Sequence, residues 1–118
     1  MTNHVTIVGS LNVDTTMKVK RMPLPGETIA ALDKTNAAGG KGANQAVSAA
    51  RSGADTAFVG QVGEDAGGKM MIQALKDNNI NTTGIHVDEN VGTGSAAILL
   101  DESGQNSILV YGGANPPS

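Results

Sequence analysis

Between Ala38 and Gly53 the chain reads AGGKGANQAVSAARSG, a glycine run followed at once by a helical pattern. Gly39, Gly40 and Gly42 carry no Cβ, so the backbone here can turn through positive φ and bring its N–H groups close to a ligand. Ala43, Ala46, Val47 and Ala50 then recur at i, i+3, i+4 and i+7, one apolar helical face. Arg51 and Gly53 supply a last-turn cation and a stop. The unpaired N–H groups of the first turn favour an anion or a hydroxyl oxygen. Asn44, in that same turn, would direct into the same space an amide that both donates and accepts. The small alanines let such a helix lie close against a sheet, which makes the stretch the floor for a small polar ligand in an α/β chain.

The flanking segments fit that frame. Val5 to Gly9 is a mostly apolar run ended by glycine, as expected of a central parallel strand buried on both faces. The turn from Ser10 to Asp14 places polar groups at its carboxyl end, where open α/β sheets bind ligands. Asn12 and Asp14 lie two apart, so in an extended turn both side chains face the same way. A carboxylate beside an amide suits adjacent hydroxyls, although the same pair can simply stabilise a turn. Lys41 can steer a phosphate or help hold a sugar, or stand as a solvated surface charge.

Met17 and Val19 alternate with Lys18 and Lys20, predicting a half-exposed strand over Thr15 to Arg21. Pro23 and Pro25-Gly26 force a turn, and Glu27 to Lys34 reads as a second strand leading back to the glycine run. Thr56 to Gly60 is another buried-type strand. Asp65 can cap a helix whose inner face is Met71, Ala74 and Leu75, with Asn78-Asn79 as its stop. Ile85 to Val87 reads as a third main-sheet strand. Ser95 to Leu100 and Ser107 to Tyr111 form a hairpin about the turn Asp101-Glu102-Ser103-Gly104. Strands and helices in alternation, with two inserted strand pairs, imply an α/β core with a mainly parallel sheet plus a small β-lid. The core is expected over 1–14 and 37–92 and the lid over 15–36 and 93–112, with 113–118 a truncated connection to a C-terminal part.

Several classes are disfavoured. With one Phe, one Tyr, no Trp and a net charge of −3, the chain has neither the basic stripe nor the stacking aromatics of a nucleic-acid binder. Without cysteine it makes no disulfide and no thiolate metal site. MTNHVTIVG has no cationic region followed by a long apolar run, and no stretch reaches the roughly 18 apolar residues of a membrane helix, so a cytoplasmic chain with no membrane partner is expected. Gly63 to Met70 has the spacing of a phosphate-binding P-loop up to its last position, where Met70 replaces the required hydroxyl, and Asp65 reads better as a cap. His4 and His86 are isolated from any second ligand at metal spacing.

The run Gly39-Gly40-Lys41-Gly42-Ala43-Asn44-Gln45-Ala46, with Gly53 and Gly63 at their spacings, resembles the first signature of the phosphofructokinase-B type carbohydrate kinases. Gly9-Ser10-Leu11-Asn12-Val13-Asp14 resembles that family's first strand and turn, and Pro25-Gly26-Glu27-Thr28 its next landmark. The likeness continues to Gly113-Ala114-Asn115. With no Pro near Gly42 and with Ala43 in place, it is most similar to the ribokinase branch.

The resemblance implies a ribokinase-like three-layer core, present in part, and transfer of the γ-phosphoryl of ATP to the 5-hydroxyl of D-ribose. It implies substrate binding by Asn12, Val13, Asp14, Gly39, Gly40, Lys41, Gly42, Ala43 and Asn44. Ala96, Ile98 and Val110 would form the apolar underside of the lid, and the lid would make a homodimer. ATP, Mg2+ and K+ are implied as well, with their sites and the catalytic base in a later part of such enzymes. Thr35-Asn36-Ala37-Ala38-Gly39-Gly40 faintly resembles the family's catalytic loop, but Gly40 falls at the base position and cannot take a proton. The chain is thus expected to carry the sugar-binding half of a kinase and to be inactive alone. The alternatives are a non-catalytic sugar-binding or dimerisation module, or part of a sister sugar or nucleoside kinase.

Overall fold

The computed structural model describes residues 3–116, so the expectations for Met1, Thr2, Pro117 and Ser118 lie outside the described residues. In chain order the elements are β1 (His4–Val8), β2 (Asn12–Lys18), β3 (Asp33–Gly39), α1 (Lys41–Arg51) and β4 (Asp55–Gly63). α2 (Ala66–Asp77), β5 (Asn81–Asp88), β6 (Gly94–Leu100) and β7 (Asn106–Tyr111) follow.

The first sheet is parallel, in the order β1-β4-β5. α1 packs on β1 and β4, and α2 on β4 and β5. Their alanine and Met/Leu faces meet the strands in a core of Leu11, Ala43, Ala46, Phe58, Val62, Met71, Leu75 and Ile80. The Phe58 ring fills the space beside Gly42, where a Cβ would lie 3.1 Å from the ring and 3.1 Å from the Cα of Gly9. The helix can approach β1 this closely only because both glycines are bare. The expectation that β1 is central and buried on both faces is corrected, since among the described residues β1 is an edge strand of its sheet. Val5 and Ile7 are half-buried, whereas Val8 is 76% exposed. Both helices cover the Val5/Ile7 side, and no described element covers the other.

The helix ends follow from their residues. Asp65 caps α2 by accepting from the Gly68 N–H at 2.7 Å, as the sequence suggests. Asn79, at φ 60°, turns the chain out of α2, and Gly53, at φ 94°, does the same after α1.

The second sheet has four strands in the order β3-β2-β6-β7, with β2 and β6 parallel and the two outer pairs antiparallel. The β6–β7 turn forms at 101–104 as expected. The Asp101 carboxylate accepts from the Ser103 N–H at 2.9 Å and from its hydroxyl, and Gly104 takes φ 88°.

The other inserted pair differs from expectation. Its first strand begins at Asn12 and ends at Lys18, and its second is Asp33–Gly39, with no strand over 27–32. Glu27 closes a loop instead. Its carboxylate takes two bonds from the Arg21 guanidinium, at 2.6 and 2.8 Å, and a third from the Leu24 N–H at 3.1 Å. Those bonds, the Arg21 pair foremost, hold the Glu27 carboxyl down at about 2. Seven residues of β2 then pair with seven of β3, which brings Gly39 opposite Asn12.

Candidate functional site

The site lies where the two sheets meet. β1 ends at Val8, the chain turns through Gly9 and Ser10, and β2 starts at Asn12. β3 arrives from the other side and ends at Gly39. Gly40, at φ 100° and ψ 142°, then swings the chain into α1. A Cβ at Gly40 would lie 2.7 Å from the Ser10 carbonyl oxygen, so only glycine fits there. Of the three glycines for which positive φ was open, Gly40 alone uses it. Gly39 ends a strand and Gly42 is helical.

Asn12 and Asp14 share one face of β2, because side chains alternate along a strand. Cross-strand pairing aligns Asp14 with Ala37 on β3 and Ala96 on β6, and Ala96 in turn with Val110 on β7. The next row on that face is Thr16, Thr35, Ile98 and Ile108. Register thus puts Asn12, Asp14, Ala96, Ile98 and Val110 on one side of the sheet. Val13 points the other way and packs against the core. Toward Asn12 and Asp14 it presents only its backbone.

The half-buried Asp14 carboxylate lies over Gly39, in the space that a Cβ on Gly39 would take. No hydrogen bond reaches it from any described residue, so its acceptor capacity is free for a ligand. Beside it the N-terminus of α1 is open. Gly40 provides no side-chain cap, and the first helical bond runs from the Asn44 N–H to the Gly40 carbonyl at 3.0 Å. The N–H groups of Lys41, Gly42 and Ala43 precede it and have no partner within the helix. Ala43 and Gly42 are buried, so they offer backbone alone.

Lys41 and Asn44 are exposed, and neither side chain has a hydrogen bond or ion pair among the described residues. Asn44 borders a cleft of about 560 Å3 between α1 and α2, with Ala38, Val47 and Leu75 among its other walls. No hydrogen bond joins it to Asn12 or Asp14.

Two further residues hold the floor and carried no periodic signal in the sequence. Asn115 bonds both backbone groups of Leu11 and the side chain of Asn12. Buried Thr93 accepts from the Gly63 N–H at 2.9 Å and gives its hydroxyl proton to Asp65 at 2.6 Å. Its own N–H reaches the other Asp65 oxygen at 2.9 Å, which ties the start of β6 to the cap of α2. These bonds, Thr93 first and then Gly68, hold the Asp65 carboxyl below its ordinary range.

A half-buried carboxylate, an amide and a row of free N–H groups can grip neighbouring hydroxyls and orient them. Among the described residues no group of three His, Cys, Asp or Glu side chains could hold a metal ion, so no residue here is assigned to Mg2+ or K+. Nor is any helix of the described residues long and apolar enough to cross a membrane.

The fold is thus an α/β layer whose glycine-bounded helix mouth opens beside Asn12 and Asp14 of a second sheet. The model of the pfkB family of carbohydrate kinases matches residues 2–117, and the chain belongs to that family. It is 48% identical over 112 residues to a bifunctional ribokinase/ribose-5-phosphate isomerase A of Fructilactobacillus sanfranciscensis, a match spanning 94% of this chain and 21% of that protein. With the ribokinase of Arabidopsis thaliana it shares 46% identity over 114 residues, 92% of this chain and 29% of the relative. The solved structure of Arabidopsis thaliana ribokinase complexed with ribose and ATP superposes with a TM-score of 0.91 at 42% identity. That match covers 97% of this chain and 37% of the solved one. The chain therefore spans between about a fifth and two fifths of the length of these relatives.

Proposed function

We propose that the chain is the N-terminal part of a ribokinase, which transfers the γ-phosphoryl of ATP to the 5-hydroxyl of D-ribose to give ribose 5-phosphate. The observation that carries this is the Asp14 carboxylate, half-buried over Gly39, free of protein partners and next to the open N-terminus of α1. Similarity to proteins named ribokinase, one of them solved with ribose and ATP, supports the choice of sugar and nucleotide.

In this reading Asp14 accepts from sugar hydroxyls, with each charge-assisted bond contributing about 1.5–3 kcal/mol. Asn12 and the backbone from Gly39 to Ala43 complete the floor, with Val13 contributing its backbone and Lys41 and Asn44 closing the rim from the helix mouth. The four-stranded sheet is the lid, and Ala96, Ile98 and Val110 shield the sugar from water. The rest, an α/β layer of residues 1–14 and 37–92, is the core, although residues 12–14 and 37–39 ride on the lid's own strands β2 and β3. Residues 113–118 lead into the C-terminal part.

Transfer of this kind depends on positioning and charge stabilisation. The chain supplies positioning, while the base and the ATP, Mg2+ and K+ sites belong to a further part. The chain alone is inactive. The complete enzyme works in the cytoplasm and pairs with a second copy through the lid.

The test is ATP-dependent formation of ribose 5-phosphate by the purified 118-residue chain and by the full-length protein that carries it. Product from the full-length protein alone supports the proposal. Product from the short chain would show that catalysis does not depend on a further segment. Competition among ribose, fructose and nucleosides separates a ribokinase from a sister kinase.

A second reading, a sugar-binding or dimerisation module without catalysis, is favoured by the run Ile108 to Tyr111, whose side chains are all more than half exposed on the outer strand β7. It requires that the full-length protein also make no product.

A further inference from the structure

Asn115 joins the far end of the chain to the start of the site. Its Oδ1 accepts from the Leu11 N–H at 2.8 Å, and its Nδ2 donates to the Leu11 carbonyl at 3.1 Å and to Asn12 Oδ1 at 2.8 Å. A backbone N–H can only donate and a carbonyl can only accept. The two bonds to Leu11 therefore fix which end of the Asn115 amide is oxygen and which is nitrogen.

It follows that the nitrogen faces Asn12, and only the oxygen of the Asn12 amide can receive it. The Asn12 NH2 group is left with no partner among the described residues. Gly94 keeps the space clear, since a Cβ there would collide with Asn115 Nδ2 and Asn12 Oδ1. The backbone holding Asn115 is itself fixed. The neighbouring Ala114 N–H donates to the Gly92 carbonyl at 2.9 Å, and Gly113 takes φ 55° against the same strand entry.

We infer that Asn115 is a positioning residue that orients the Asn12 amide as a hydrogen-bond donor beside the acceptor Asp14. The two side chains then offer one donor and one acceptor on the same face of β2. That pair suits a vicinal diol, with one hydroxyl oxygen receiving from Asn12 and the other hydroxyl giving its proton to Asp14. The inference rests on the reading that Asn12 and Asp14 hold the sugar.

A double-mutant cycle in the full-length kinase tests it, read as ribose KM, kcat and melting midpoint. Asn12→Ala is expected to raise the ribose KM about 10-fold through one lost hydrogen bond. Asn115→Ala should raise it by a similar factor with kcat within about twofold, and should add less than about twofold once Asn12 is already Ala.

An Asn115→Ala loss of the same size in both backgrounds would mean that Asn115 supports the backbone only, and would overturn the inference while sparing the sugar-floor reading. A KM indifferent to Asn12→Ala would overturn that reading and the inference with it. Should Asn115→Ala not fold, Asn115→Asp keeps the shape and the acceptor for the Leu11 N–H but removes the donor to Asn12 together with that to the Leu11 carbonyl. The same Asn12-dependent rise in KM is expected, and an unchanged ribose KM in this variant overturns the inference.

Discussion

The carboxylate of Asp14 occupies the space that a side chain on Gly39 would need. A Cβ built on Gly39 would fall 2.5 Å from Asp14 Cγ and 2.8 Å from its Oδ1. Gly39 is not at positive φ, so its backbone accepts alanine. The group that must move is the end of one flexible side chain. Gly39→Ala should therefore cost less than about 1 kcal/mol of stability, yet expel Asp14 and raise the ribose KM of the full-length enzyme at least about 10-fold. Thermal melting and steady-state kinetics on the same preparation check both halves. A large melting loss with unchanged KM would place Gly39 in the scaffold and not in the site.

Gly42 makes the opposite case. A Cβ there meets the backbone of Gly9 on one side and the fully buried Phe58 ring on the other, each at 3.1 Å. Neither neighbour can swing away. Overpacking of this kind costs about 1–3 kcal/mol, against a gain of about 1 kcal/mol in helix propensity on replacing glycine by alanine. Gly42→Ala should be a net destabilisation, seen as a lower denaturant midpoint with an unchanged slope. A higher midpoint would show that α1 can lift off β1 without penalty.

These two glycines also mark how far the sequence could be read. The alanine face of α1 and the Asp65 cap stand out because each has one local cause, periodicity in the first and a cap residue in the second. Asn12 and Asp14 were legible as a pair because a spacing of two has the same meaning on any extended segment. β3 was not legible. All but its last residue are exposed, so no alternation marks it, and its Ala37-Ala38-Gly39 end reads as loop. Gly39 is bare because Asp14 lies across it, and Ala37 sits opposite Asp14, relations that exist only once β2 and β3 are paired. The exposure of Val8 was hidden for a related reason. An apolar strand looks the same whether or not its second face is covered. Asn115 was missed because its partners lie 103 and 104 residues away.

Asp65 makes stability depend on acid. Its carboxylate receives Thr93 Oγ1 and Gly68 N–H on one oxygen and the Thr93 N–H on the other, and its folded-state pKa is depressed. A depressed carboxylate stabilises the fold above its unfolded pKa of about 3.9, and this contribution is lost as pH falls through the folded value. Asp65→Asn keeps a capping oxygen for Gly68 but turns an NH2 toward the Thr93 N–H, and should lower stability at pH 7 by about 1–3 kcal/mol, the cost of leaving that donor unpaired. The difference from the parent should shrink below about pH 4, where the unfolded carboxylate already binds a proton. Urea melts at pH 7 and pH 3 test this, and equal differences at the two values would sink it.

The outer strand β7 sets the behaviour of residues 1–118 on their own. Leu109 is 78% exposed and Val110 70%, on opposite faces, and one side of β7 has no strand partner among the described residues. The uncovered face of the parallel sheet exposes apolar surface too, with Val8 at 76% and Val59 at 40%. Parallel sheets are ordinarily covered on both faces, and an unpaired apolar edge invites pairing with another chain. The 118-residue chain should therefore self-associate. Because β7 combines an open edge with apolar side chains on both faces, Leu109→Lys should weaken association more than Val8→Lys. Sedimentation over a tenfold concentration range is the measurement. A concentration-independent monomer with a sharp two-state melt would mean that these surfaces are tolerated in water. A stronger effect of Val8→Lys would move the contact from the lid to the parallel sheet.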